Sequence, residues 1–256
     1  MPDDRLLAGR HAVITGASRG IGAATAEALA KLGARLTLMA RDKEALGKVA
    51  AGIADSRAIV CDVTDAASVS RAFAEARERG PVAILVNNAG IAASAPFLRT
   101  DDALLERIFA VNVMSAFRCT REALPDMLAQ GWGRVVNVAS VAGLKGYRYI
   151  SAYTASKHAL VGMTRALASE VADKNLTVNA VCPSYVDTEM TRRTIANIVA
   201  KTGRSETDAL AELVRGNPQA RLIAPEEVAH AIAWLCAPGM ESITGQAIPI
   251  AGGEIT

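Results

Sequence analysis

Aromatic residues are scarce in this chain, with 2 Trp, 4 Tyr and 4 Phe among 256 residues. The 51% hydrophobic fraction must therefore fill a core with Ala, Val, Leu and Ile. The basic–aromatic interleaving that stacks on single-stranded nucleic acid is lacking. Charge of one sign is lacking too: 28 Lys and Arg against 26 Asp and Glu leave a formal +2, without a basic run. Such a balance makes no field that gathers nucleic acid or an anionic membrane, and neither is expected as a partner. Cys61, Cys119, Cys182 and Cys236 are scattered without a C-x-x-C pair, and His11, His158 and His230 are isolated. Zinc-type spacing is thus missing, so no metal is expected. The cysteines read as small buried hydrophobes in a reducing compartment. No apolar run approaches the ~18 residues that cross a bilayer, and the leading MPDDRLLAGRHAVIT lacks the build of a secretion signal. The expected location is cytoplasmic.

What the chain does have is alternation. Short apolar runs (HAVIT, ARLTLMA, SRAIVCDV, PVAILVNNAG, GRVVNVAS, LTVNAVCP, QAIPIAGG) are separated by segments of helical periodicity. Nearly uniform apolar strands between helices argue for a doubly wound parallel α/β sheet, Rossmann-type, of about seven strands covered on both faces. No linker, low-complexity tract or repeat divides the chain, so residues 1–256 read as one domain. The stretch from 101 to 131 reads as a long helix, bent or ended near Pro125. From about 187 to 220 the pattern gives way to a polar, basic segment with helical patches, placed as a substrate lid would be.

The first strand ends in Thr15-Gly16-Ala17-Ser18-Arg19-Gly20-Ile21-Gly22 and a helix follows. A glycine turn between strand and helix brings backbone N–H groups and the positive helix end to a phosphate. The spacing is G-x-x-x-G-x-G rather than the commoner G-x-G-x-x-G, so the match to a dinucleotide site is in mechanism. The second strand ends Met39-Ala40-Arg41-Asp42, with alanine where NAD binding usually places a carboxylate. Arg41 and Arg19 are cations for a 2′-phosphate, which favours NADP. The alternative leaves Arg41 solvated and Asp42 as helix cap or diol ligand, with NAD as cofactor.

In SVAGLKGYRYISAYTASK, Tyr153 and Lys157 lie four apart at the start of a helical pattern, on one face. A free phenol ionises near pH ~10. An adjacent ammonium favours the phenolate and would make Tyr153 a proton donor or acceptor near neutrality. Ser140, at the carboxyl end of a strand, is placed to hold a substrate oxygen.

With Asn87-Asn88-Ala89-Gly90 and Asn112 between them, these motifs occur in an order that resembles the short-chain dehydrogenase/reductase family over essentially the whole chain. The resemblance implies a catalytic set of Asn112, Ser140, Tyr153 and Lys157. In it Tyr153 exchanges a proton with the substrate oxygen, Lys157 holds the nicotinamide ribose, and Asn112 positions a water. It also implies cofactor contacts from Gly16, Ser18, Arg19, Gly20, Ile21 and Gly22, and from Asp62 and Val63 near the adenine. Asn88, Ala89 and Gly90 would lie at the adenine ribose, and Pro183, Ser184, Val186 and Thr188 around the nicotinamide. Ser184 stands where the family usually has glycine, which puts the local backbone in question. The look is similar to 3-ketoacyl thioester ketoreductases. The expectation is NADPH-dependent reduction of a 3-oxoacyl thioester, with NAD-dependent oxidation of a 3-hydroxyacyl-CoA or secondary alcohol as the alternative. Substrate choice would lie in residues 92–97 and 141–149, Ser184, Tyr185 and the lid, with Lys145, Arg148, Arg192, Arg193 and Lys201 as candidates for a CoA or phosphopantetheine phosphate. A homotetramer is implied, paired through the helices of 101–130 and 151–173.

Overall fold

The computed structural model describes residues 5–255, so the ends of the chain, including the first four residues of the leader, lie outside the described part. Seven strands, β1 (His11–Thr15), β2 (Arg35–Ala40), β3 (Ser56–Val60), β4 (Ile84–Asn87), β5 (Gly133–Val138), β6 (Leu176–Pro183) and β7 (Ala247–Ile250), form one sheet. They are ordered β3-β2-β1-β4-β5-β6-β7, and every pairing is parallel. The helices are α1 (Gly20–Lys31), α2 (Lys43–Ala51), α3 (Ala66–Arg77), α4 (Asp102–Phe109), α5 (Ser115–Gln130), α6 (Ser151–Val171), α7 (Glu189–Thr202), α8 (Glu206–Val214) and α9 (Pro225–Cys236).

Side chains alternate across a strand, and the uniformly apolar strands feed two cores. Ala12 and Ile14 of β1 join Leu36, Leu38, Ile84 and Val136 on the face covered by Leu29 of α1 and Val228 and Ile232 of α9. Val13, Met39, Leu85 and Val135 point the other way, against Phe73 of α3, Met127 of α5 and Val171 of α6. Complete burial of a side chain such as Phe73 contributes about 1.5–3 kcal/mol. Aspartates open three helices: Asp42 Oδ1 accepts from Ala45 N at 3.0 Å, Asp65 from Ala67 N at 2.9 Å and Asp101 from Leu104 N at 2.8 Å.

The long helical stretch breaks elsewhere than at Pro125. A π-helical turn over Ala110–Met114 separates α4 from α5, and Pro125 sits inside α5. Pro125 is exposed, so water can serve the carbonyl that its missing N–H leaves unpaired. The polar segment from 187 to 220 holds α7 and α8, and the chain rejoins the sheet side through a parallel bridge between Val186 and Ile223.

Candidate active site

β1 and β4 are the neighbours at which the winding of the sheet reverses, so the loops leaving them lie side by side. In open parallel sheets this crevice receives ligands. Here the two loops are stitched together. Thr15 Oγ1 accepts from Asn88 N and Ala89 N, both at 3.1 Å. Asn88 Nδ2 donates to the carbonyls of Thr15 (3.0 Å) and Gly16 (2.9 Å). A Cβ on Gly16, which has φ +65, would lie 2.9 Å from Ala89 Cα, and one on Gly22 would lie 2.4 Å from the Gly16 carbonyl oxygen. Arg19, the residue before α1, provides no side-chain cap, and the first turn of α1 holds no acid. The positive end of the helix is left for an anion. A cradle that only glycine can line, at an uncapped helix start, fits the pyrophosphate of a dinucleotide, with Ser18 and Ile21 partly buried in its wall.

The two expected guanidiniums differ. Arg19 is engaged by Glu189, at the root of α7, and by Asp42 at 3.2 Å. Arg41 is exposed and makes no hydrogen bond or ion pair among the described residues. Asp42 caps α2 with its other oxygen. Asp62 is partly buried and closes its own turn, accepting from Thr64 N at 2.9 Å and Thr64 Oγ1 at 2.7 Å. Those two donors, with a smaller contribution from Arg41, hold its carboxyl below the usual range. Val63 beside it is buried.

Ser140, two residues beyond β5, is 9% exposed, and its Oγ accepts from Ala142 N at 3.1 Å. Tyr153 and Lys157 project from the first turns of α6, with Lys157 Nζ 5.7 Å from the phenol ring centroid. Lys157 is buried and donates to the Val138 carbonyl at 2.8 Å. Burial pushes Tyr153 up to about 12, against the pull of the Ser140 hydroxyl. Burial pushes Lys157 down to about 8. The expectation that Lys157 makes this phenol acidic is therefore reversed in the free chain. Removal from water disfavours both charged forms, and one of the three ammonium donors goes to the Val138 carbonyl.

Asn112 lies in the π-helical turn, and its side chain is fully engaged. Oδ1 accepts from Ile91 N at 2.8 Å, while Nδ2 donates to the Ile91 carbonyl and to Ser156 Oγ, both at 3.0 Å. It ties the loop after β4 to α6. A Cβ on Gly90 in that loop would come 3.4 Å from Asn112 Oδ1 and 3.6 Å from Lys157 Nζ, so the loop beside the cradle adjoins Asn112 and Lys157.

At the end of β6, Pro183 pairs with Ile250 of β7. Ser184 is absent from the positive-φ residues, so the strain a serine would suffer there does not arise. Its backbone N donates to the Ile250 carbonyl at 3.1 Å and its hydroxyl donates to Glu254. Val186 is buried and accepts from Thr191 Oγ1 at 2.6 Å. The Thr188 methyl lies over Gly20, 3.0 Å from where a Cβ would be. Of the cations expected to meet a phosphate, Lys145 pairs with Glu254 at 3.4 Å, Arg192 with Asp187 at 3.0 Å and Arg193 with Glu189. Arg148 lies over Tyr149, 5.8 Å from its centroid. The last three contacts are exposed and easily exchanged. Glu254, which gathers three donors at this edge, escapes a reading of the sequence. Its one signal is a charged residue directly after the glycine pair that follows the last strand. Among the described residues no group of three or more His, Cys, Asp or Glu could hold a metal, and no helix is long and apolar enough to cross a membrane.

Comparison with known proteins agrees with this geometry. The family model for short chain dehydrogenase matches residues 10–198. Galactitol 2-dehydrogenase (L-tagatose-forming) of Cereibacter sphaeroides is 39% identical over 96% of this chain and 95% of its own. The 3-oxoacyl-acyl-carrier-protein reductase of Rickettsia conorii (strain ATCC VR-613 / Malish 7) is 33% identical, covering 97% of this chain and 98% of its own. Among solved structures, an actinorhodin polyketide ketoreductase variant crystallised with NADPH superposes with a TM-score of 0.91 at 36% identity, covering 96% of this chain and 97% of that one. With a seven-stranded parallel sheet, a glycine cradle at its switch point and a Ser-Tyr-Lys set beside it, the chain belongs to the short-chain dehydrogenase/reductase family, oxidoreductases acting on carbonyl and hydroxyl groups.

Proposed function

We propose that this protein is an NADPH-dependent ketoreductase that converts a 3-oxoacyl thioester into the 3-hydroxyacyl thioester. The observation that carries it is geometric: Tyr153 meets Ser140, and Lys157 Nζ lies 5.7 Å from the phenol ring centroid and 3.6 Å from where a Cβ on Gly90 would stand, beside the glycine cradle. The phenol, which burial keeps protonated at neutral pH, is the group placed to donate to the substrate oxygen. A bound nicotinamide dinucleotide would supply the hydride. Ser140 Oγ hydrogen-bonds the substrate carbonyl oxygen, Tyr153 Oη delivers the proton to it, and Lys157 holds the cofactor ribose and returns charge balance to the phenol. Asn112 keeps the loop at Gly90 and Ile91 in register with α6. Gly16, Gly20 and Gly22 admit the pyrophosphate, and Arg41 meets the 2′-phosphate.

Support for an acyl substrate comes from exposed apolar side chains on the segments flanking the site. Phe97 is 77% exposed, Leu98 97% and Tyr149 60%. The two segments are joined by Ala95 N donating to the Tyr149 carbonyl at 2.8 Å. Such a rim suits an acyl chain better than a polyol. The polyketide and acyl-carrier-protein reductases among the relatives point the same way; the galactitol relative supports an alcohol-oxidising reading. A panel of 3-oxoacyl thioesters, free ketones and polyols, assayed with both cofactors, decides between them. Turnover of polyols with NAD and of no thioester defeats the proposal. Arg41→Ala is expected to raise the KM for NADPH by about tenfold or more, the value of one charge-assisted bond, and to leave that for NADH in place. An equal effect on both cofactors removes Arg41 from the phosphate.

Assembly belongs to the same reading. Leu105, Met114 and Phe117 are 39%, 46% and 53% exposed along α4, the π-helical turn and α5, an apolar stripe that pairing of chains into a homotetramer would cover. Light scattering on the purified protein should return four chains' mass, and a monomer at micromolar concentration sinks the assignment.

A further inference from the structure

The carboxyl-terminal tail after β7 is built into the edge of the site. Glu254 has a side chain only 5% exposed. Its carboxylate accepts from Tyr147 Oη at 2.5 Å, from Ser184 Oγ, and from Lys145 Nζ, which lies 3.4 Å away. Lys145 Nζ also reaches the Glu254 backbone carbonyl at 3.4 Å. Burial raises this carboxyl's pKa, yet the Ser184 and Tyr147 hydroxyls and Lys145 together hold it below the usual range. The tail reaches this position through close contacts. Gly252 and Gly253 have φ of +58 and +93, and a Cβ on Gly252 would fall 2.2 Å from Asn217 Oδ1. A Cβ on Gly216 would stand 3.2 Å from Glu254 Oε1. The tail therefore lies on the turn that follows α8 while its carboxylate reaches inward.

The three side-chain donors share a location. Lys145 and Tyr147 belong to the segment between Ser140 and Tyr153, and Ser184 is the first residue beyond β6. None of them belongs to a strand or to a helix packed on the sheet. One carboxylate thus joins the loop that separates two members of the catalytic set to the start of the segment leading into α7. Building on the substrate reading above, we infer that Glu254 is a positioning residue: it fixes the loop carrying Tyr147 and the backbone at Ser184, and so sets the shape of the entrance in which the acyl part of the substrate is seated. It acts through Tyr147, Ser184 and Lys145 and need not touch the reacting atoms. Loss of the carboxylate leaves the part-buried Tyr147 and Ser184 hydroxyls without their acceptor, and the loop is then free to move where the substrate, rather than the dinucleotide, is held.

The test compares wild type with Glu254→Gln, Tyr147→Phe and the double variant. Tyr147→Phe removes a single hydroxyl and guards against a Glu254→Gln protein that fails to fold. Three readouts are needed: kcat and KM for the carbonyl substrate, NADPH affinity, and the rate of tryptic cleavage after Lys145 and Arg148. Expected are a KM raised about tenfold with kcat kept within about threefold, unchanged NADPH binding and faster cleavage. The double variant should be little worse than either single one, because both break one network. Unchanged KM overturns the inference, whether or not cleavage quickens. So does a loss that falls on kcat and NADPH binding alike, which is the mark of general damage. If wild type reduces no thioester, the substrate reading fails separately; the KM comparison then uses whichever carbonyl or alcohol turns over, and the protease comparison needs no substrate at all.

Discussion

Replacing Tyr153 by phenylalanine is expected to lower kcat by roughly 10²–10⁴-fold, the range for a positioned proton donor, while the dinucleotide still binds. The ring stays, so the packing at the head of α6 is preserved and only the hydroxyl opposite Ser140 is removed. A Tyr153→Phe protein with more than a tenth of wild-type turnover would refute the assigned role. The same pair of groups sets the pH behaviour. With Tyr153 at about 12 and Lys157 at about 8 in the free chain, kcat/KM for reduction should be level through neutrality and fall above pH 8 as Lys157 loses its charge. Oxidation, which needs the phenolate beside a charged Lys157, should rise with pH up to about 8 and level off above it. Stability follows by linkage. Lys157 binds its proton more weakly folded than unfolded, so between about 8 and the ordinary 10.5 its contribution to stability improves as pH rises. Tyr153 holds its proton more tightly when folded, so its contribution is lost as pH climbs from 10 to about 12. Chemical denaturation at pH 7, 9 and 11 reads both slopes, and Lys157→Met should abolish the first.

Gly22→Ala carries the next largest effect. The added methyl would stand 2.4 Å from the Gly16 carbonyl and 2.6 Å from Asn88 Nδ2. The first of these is backbone and cannot swing aside, so the loop must move. Overpacking of this kind costs about 1–3 kcal/mol, a drop in Tm of roughly 2–12 °C for a chain of this size. Since the displaced atoms form the cradle itself, NADPH affinity should fall by more than about tenfold. Gly47→Ala is the control. Gly47 sits inside α2 with nothing within 4 Å of the new Cβ, and the change should be neutral or stabilising by up to about 1 kcal/mol. If Gly22→Ala melts and binds as it does, the cradle is not where the phosphates go.

Much of this was legible from the chain because it rests on local pattern. The strands HAVIT and LTVNAVCP coincide with β1 and β6 to the residue, since apolar runs bounded by glycine or a helix signal leave little choice. The glycine spacing and the Tyr153–Lys157 interval are likewise local, and the fold brings the two stretches near each other through the loop at Ala89 and Gly90. What escaped reading is what depends on residues far apart in sequence. The break at Ala110–Met114 falls where Asn112 reaches Ile91 and Ser156, whereas a local rule looks to Pro125. The direction of the Tyr153 shift depends on burial, which a four-residue interval does not report. Glu254 meets partners 70 and 107 positions away, and no periodicity signals such a meeting.

The Thr15 and Asn88 bonds across the switch point have a consequence for energetics. Because the loops after β1 and β4 are locked to one another by the protein's own hydrogen bonds, the landing surface for a dinucleotide is rigid before the ligand arrives. The conformational freedom usually surrendered on association has already been given up during folding. Binding should accordingly show a heat-capacity change no larger than the buried ligand surface accounts for, without the extra increment that marks coupled ordering of a loop.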